Sequence, residues 1–445
     1  MFYIELLVVL AAIFMGARIG GIGLGVMGGV GLCILTFVFH ERPTAPPIDV
    51  MLIIIAVISA SASLQASGGL TYMVAIAEKI LRKNPKRITI LAPLVCYVFT
   101  FLAGTGHIAY SILPIIAELA TKTGIRPERP LGVSVIASQQ AITASPITAA
   151  TVAMAVLLAP QHIELSSILM ICIPSTLAGV LAAALVSTKV GVELIDDPIY
   201  NERLEDPDFV ESINKTTEPI DMSKIPQSAK LSVLVFLFAV LVIVIFGANA
   251  SLRPEWINKG GNRVSMSMTS LIEMVMLSAA ALILIVGKVR KVVEVSTGNI
   301  FRAGSEAVIA IFGVAWMGDT FIEGNYAFIE GGLKGMATQY PWTFAIALFV
   351  MSILLFSQAA TVRALMPLGL SLGIPGGALI AMYPSVNGYF FIPNYPTLIA
   401  AIGFDETGTT RIGKYVLNHS FMLPGLVAWI VSVAVGFLLV SLFGI

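Results

Sequence analysis

Apolar positions in this chain do not alternate with a helical or strand period; they run on without a polar face. Such runs lie at about residues 2 to 16, 21 to 39, 50 to 81, 87 to 121, 131 to 160, 165 to 187, 231 to 247, 268 to 287, 303 to 321, 342 to 372, 376 to 403 and 415 to 443. A helix needs about 20 residues to cross a hydrocarbon core of about 30 Å. The pattern therefore predicts an all-α membrane protein with about 10 to 12 transmembrane segments. The run from Leu6 to Gly16 begins close to Met1 with no basic stretch before it, which predicts a retained first helix and not a removed leader.

One stretch breaks the pattern. Residues 189–230 carry Asp196, Asp197, Glu202, Arg203, Glu205, Asp206, Asp208 and Glu211 among several prolines. This composition predicts an aqueous connector between an N-terminal repeat over 1–188 and a C-terminal repeat over 231–445.

The chain is 57% hydrophobic and 12% charged, against roughly 25% charged for a soluble domain, which excludes one here. Lys and Arg total 26 and Asp and Glu total 26, so no nucleic-acid footprint is present and the expected surroundings are membrane lipids. Cys33, Cys96 and Cys172 each lie inside an apolar run without CxxC spacing or nearby histidines. No metal site, disulfide or cofactor is expected.

Basic residues in short loops set the orientation. Arg82 to Arg87, Lys122 to Arg129, Lys288 to Arg302 and Arg411 mark the cytoplasmic side, together with the central connector, and both termini then face outside. On this topology residues 87–122 leave and return on the cytoplasmic side, and residues 342–373 on the external side. Gly104-Thr105-Gly106-His107 lies ten to seven residues before Pro114, and Ser357-Gln358-Ala359-Ala360 lies ten to seven before Pro367. Ser145-Pro146-Ile147-Thr148-Ala149-Ala150 is echoed by Tyr395-Pro396-Thr397-Leu398-Ile399-Ala400. Each half reads as a re-entrant hairpin followed by a broken helix, in two inverted repeats.

Non-helical backbone at membrane depth survives only where protein buries it or it lines a cavity, so the four breaks are expected to meet at one site. Uncapped helix ends there offer N–H groups and positive dipole ends to an anion. The candidate substrate-binding residues in the first half are Thr105, Gly106, His107, Ser138, Gln139, Gln140, Thr143, Ser145 and Thr148. In the second half they are Ser357, Gln358, Thr361, Asn387, Asn394 and Thr397. Apart from Gly106 they bring hydroxyl, amide or imidazole groups suited to carboxylate oxygens. The alternative for any one of them is to glue membrane helices together.

Arg363 costs at least about 2.5 kcal/mol at a bilayer centre unless it is paired or wetted. It is read as a substrate clamp, against a snorkelling or ion-paired arginine. Glu78 and Arg82 stand at i and i+4; with Arg126 they are placed to line a vestibule that draws in dianions, or to form a solvated helix end. Asp319 is a candidate ion or proton site, against an interfacial aspartate. His107 is the one histidine expected at depth, as a proton relay or a packing residue.

Several strings taken together resemble a known family: Leu64-Gln65-Ala66-Ser67-Gly68-Gly69-Leu70, Leu91-Ala92-Pro93, Gly104-Thr105-Gly106, Arg126-Pro127-Glu128-Arg129-Pro130 and Gly408-Thr409-Thr410-Arg411-Ile412-Gly413. The family is the anaerobic C4-dicarboxylate uptake (Dcu) carriers of bacterial inner membranes, and the resemblance spans essentially the whole chain. It implies exchange of fumarate, malate or aspartate entering against succinate leaving, and for some members cation-coupled uptake with protons or sodium. It also implies a sensor kinase as partner, reached through Asp405 or the central connector. A homodimer is the open alternative to a monomer.

A membrane-embedded enzyme is the rival class, but HExxH, a GxSG nucleophile and paired intramembrane aspartates are all missing, and no catalytic residue is expected.

Overall fold

The structure is a computed structural model. It describes residues 1–19, 22–161, 163–214, 219–257, 260–325, 328, 340, 342–355, 357–393, 395–413, 415 and 417–445.

All twelve apolar stretches contain helix. The first half runs α1 (Phe2–Ile19), α2 (Gly23–Phe37), α3 (Ile48–Ala66), α4 (Gly69–Lys83), α5 (Ile88–Ala103), α6 (Ala109–Lys122), α7 (Glu128–Ala144), α8 (Ala149–Leu158) and α9 (Leu165–Ser187). Two short helices, α10 (Pro198–Arg203) and α11 (Pro207–Asn214), lie in the connector. The second half runs α12 (Gln227–Ala248), α13 (Met268–Val286), α14 (Val293–Thr297), α15 (Asn299–Gly324), α16 (Thr343–Leu355), α17 (Gln358–Ser371), α18 (Gly376–Met382), α19 (Pro396–Phe404) and α20 (Met422–Phe443). The one sheet among the described residues is an exposed hairpin pairing Glu255–Ile257 with Arg263–Ser265.

Seven helical segments of the described residues are long and apolar enough to cross a membrane, and eight if the bent pair α3–α4 counts as one. That pair turns by 72° at Gly68, whose φ of 78° suits a residue without Cβ. The run over 50 to 81 is therefore two helices joined by a bend. The last helix also starts later than its apolar run, because the described residues between Phe404 and Met422 are not helical. Outward faces stay apolar, as at Leu234, Phe238 and Leu241 on α12 and Ile430, Leu438 and Leu442 on α20, which suits contact with lipid.

The halves interlock through small residues, the usual means of close approach in membranes. A Cβ on Gly313 of α15 would overlap the Gly25 carbonyl of α2, and one on Gly179 of α9 would overlap the Ala428 carbonyl and Ser432 hydroxyl of α20. The order of elements repeats: α5–break–α6, α7–break–α8 and α9 in the first half, α16–break–α17, α18–break–α19 and α20 in the second.

Candidate functional site

The four breaks surround one cavity of about 680 Å³. Gly104 to Gly106 reach it from the first hairpin, Ile147 to Ala150 from the first broken helix, Ser357 to Ala359 from the second hairpin and Tyr395 to Thr397 from the second broken helix. Each contribution stands at the start of a helix: α6 with its 3-10 lead-in at Gly106–Ile108, α8, α17 and α19. An α-helix carries roughly half a positive charge at its N-terminal end, so four such ends sum to about two charges. Walls between them are largely apolar, from Ile53, Ile54, Val57 and Ile58 of α3 and Ala303 and Ala310 of α15, with Glu306 of α15 among them.

Local chemistry explains how the ends are held open. Gly104 turns the first hairpin at φ 67°, and its α-carbon lies so close to Ile147 that a Cβ would come within 2.6 Å of that side chain. The first tip thus rests on the first broken helix. The Ser145 hydroxyl donates to the Phe101 carbonyl at 2.7 Å, tying the same two elements from below. Thr148 caps α8, accepting from the Thr151 amide at 3.4 Å and donating to the Ile142 carbonyl at 2.6 Å. Ser357 caps α17 by accepting from the Ala360 amide at 3.2 Å. Pro396 opens α19 at the position where a missing N–H costs nothing.

Behind the cavity a chain of carboxamides crosses between the halves. Gln358 Nε2 donates to Gln139 Oε1 at 2.8 Å and to Asn387 Oδ1 at 3.2 Å. Asn387 Nδ2 in turn donates to Gln140 Oε1 at 3.3 Å and Thr143 Oγ1 at 3.4 Å. The Gln140 Nε2 group and the Thr397 hydroxyl are buried and have no partner among the described residues, and Thr397 lies on the cavity wall.

The candidates from sequence thus separate by position. Thr105, Gly106, Gln139, Thr148, Ser357, Gln358 and Thr397 line the cavity. Gln140, Thr143 and Asn387 sit one layer behind. Ser138 and Thr361 bond to their own helices, at Val135 and Ser357. Asn394 and the side chain of His107 lie outside the described residues.

Arg363 is buried on α17 but does not line the cavity, and its Nε has no partner among the described residues. The counter-charge acting on it is Asp319 of α15, with no ion pair between them within contact distance. The proposed vestibule residues fall into two clusters. Glu78 pairs with Arg82 at 2.7 Å, and Arg82 with Glu118 at 3.2 Å. Arg126 is instead buried between Glu128, at 2.6 Å, and Asp197 of the connector. Asp405 is buried too, accepting from the amides of Thr407 and Thr410 and the hydroxyls of Thr407 and Thr409. Sequence reasoning missed Glu306 and Tyr110 on the cavity wall. Glu306 had a signal, being the one charge in the apolar run from Ala303 to Gly318.

Comparison with known proteins follows the same lines. The chain superimposes on the YdaH transporter of Alcanivorax borkumensis with a TM-score of 0.60 at 15% identity, covering 95% of this chain and 98% of that one. For MtrF of Neisseria gonorrhoeae the TM-score is 0.56 at 14% identity, over 91% and 84%. These likenesses establish a shared fold. The chain is 43% identical to the anaerobic C4-dicarboxylate transporter DcuB of Escherichia coli O6:H1, over all of this chain and 99% of that protein. It is equally 43% identical to the C4-dicarboxylate transporters DcuA of Wolinella succinogenes, over 98% and 99%, and of Escherichia coli K12, over 99% of each. The family model described as anaerobic C4-dicarboxylate membrane transporter matches residues 1–444. The chain is a multi-pass membrane transporter, not an enzyme, and belongs to the anaerobic C4-dicarboxylate membrane transporter family.

Proposed function

We propose that this carrier exchanges C4-dicarboxylates across a bacterial inner membrane, with fumarate, malate or aspartate entering against succinate leaving. The carrying observation is the ring of four helix N-termini around one cavity. Their summed dipoles, about two positive charges, match a dianion without a lysine or arginine among the described wall residues. Thr105, Gln139, Thr148, Ser357, Gln358 and Thr397 supply the hydrogen bonds that fix its carboxylates.

Access alternates between the two sides as the hairpins, related by an inverted repeat, move against the scaffold of the opposite half. The central connector and the basic loops face the cytoplasm and both termini face outside.

Counterflow in proteoliposomes tests this. Vesicles preloaded with unlabelled fumarate should take up labelled succinate several times faster than empty vesicles. Entry at one rate regardless of the load would indicate a channel and end the exchange reading.

A further inference from the structure

The one charged side chain among the described residues lining the cavity is an acid, Glu306 on α15. It stands with Ala303 and Ala310 at i, i+3 and i+7, the spacing of a single helix face, and all three line the wall. Both neighbours on that face are small, which leaves room beside the carboxylate for a ligand atom. A charge at membrane depth is costly, and where one faces a cavity it marks a substrate or ion pathway.

The acid changes the charge that the cavity offers. Four helix N-termini sum to about two positive charges, and Glu306 takes one away, so the fixed charge is about +1. Succinate and fumarate bring two negative charges and set one of them against a like charge, which is repulsive. A dicarboxylate that also bears an ammonium group brings a net charge of about −1 and balances the cavity. Its two carboxylates suit the helix ends and its cation suits the acid. In such a ligand the ammonium sits on the carbon next to one carboxylate. α15, which carries the acid, packs on α17, whose N-terminus at Ser357 is one of the four ends. One ligand in the cavity can therefore meet both, since Ser357 and Glu306 line the same wall.

We infer that Glu306 is a specificity-determining residue that pairs with the ammonium group of a 2-amino dicarboxylate and favours that class over its unsubstituted counterpart. This inference rests on the dicarboxylate reading of the cavity.

The test is equilibrium binding, at neutral pH, of three ligands that differ only in the substituent on one carbon: hydrogen in succinate, hydroxyl in malate and ammonium in aspartate. Purified full-length Glu306→Gln, neutral and close in shape, should weaken aspartate about tenfold relative to succinate, because a hydrogen bond to a charged group is lost. Malate, which fills the same space without the charge, should move with succinate. Glu306→Asp keeps the charge and should hold the loss of aspartate within about threefold. Wild-type carrier should bind N-formylaspartate, whose nitrogen is neutral, about tenfold more weakly than aspartate, a reading that needs no variant to fold. Equal loss of all three ligands in Glu306→Gln, as for a carboxylate tied to the protein, would overturn the inference. So would an unchanged ratio of aspartate to succinate, or wild-type protein that holds N-formylaspartate as tightly as aspartate or binds succinate but no aspartate. Failure of wild-type protein to bind any of the three would instead strike the dicarboxylate reading.

Discussion

Gln358 and Gln139, 219 positions apart in the chain, share a hydrogen bond of 2.8 Å that joins the tip of the second hairpin to the first broken helix. A hydrogen bond between membrane helices contributes about 0.6–2 kcal/mol, and an orphaned buried amide costs about 1–3 kcal/mol. Gln358→Ala also removes the donor to Asn387 Oδ1 and should lower stability by about 1–3 kcal/mol. The double variant with Gln139→Ala should cost clearly less than the sum of the two singles. Thermal melts of the three variants in detergent check this, and strict additivity would show that the two amides act separately.

Arg363 and Asp319 make a second prediction. Arg363→Ala removes the counter-charge that faces Asp319 and should destabilise the carrier by up to about 3 kcal/mol. Removing both charges, with Arg363→Leu and Asp319→Leu, should recover most of that loss. If Arg363→Ala melts like wild type yet loses fumarate affinity, Arg363 touches the substrate in another conformation and the clamp reading returns.

The connector has its own pH signature. Burial alone would raise the Asp197 carboxyl, but hydrogen bonds from Arg126 and from the amides of Tyr200 and Ile199 outweigh it and hold the group below the usual range. A depressed carboxyl contributes stability above its unfolded value, near about 3.9, and loses it as pH falls through the folded one. The anchor on Arg126 should therefore hold from neutrality to about pH 4 and release below. Hydrogen exchange over residues 194–203 reads this directly. Asp197→Asn should exchange faster already at pH about 7, and equal protection in the two proteins would rule out the anchor.

Glycine packing offers a steric test with a built-in control. Side chains at Gly25 or Gly313 would overlap backbone of the facing helix, whereas Gly29 has nothing within 4 Å of where its Cβ would stand. Gly25→Leu and Gly313→Leu should abolish monodisperse protein on size-exclusion chromatography, and Gly29→Leu should not.

Much of this architecture could be read from residues in order. Unbroken apolar runs gave every membrane helix, because backbone groups in lipid have no other way to be satisfied. The hairpin tips were legible because Gly104-Thr105-Gly106 and Ser357-Gln358 interrupt such runs at matching distances from Pro114 and Pro367. Side-chain direction was not. Arg363 and Glu306 both sit on helices beside the cavity, yet the acid faces it and the base does not, and only the rotation of each helix decides that. Arg126 looked like an open vestibule charge because its partner Asp197 lies 71 positions away in a connector whose composition suggested solvent.

The overlap-tight meeting of Gly25 with Gly313 has a bearing on biogenesis. During synthesis α2 enters the bilayer with its small-residue face uncovered, and α15, the surface that fits it, is not made until well into the second half. Until then that face must lie against lipid or an insertase, so the nascent protein passes through a long stage in which α2 is anchored but unmated. Ribosome stalling before α15 should trap that stage.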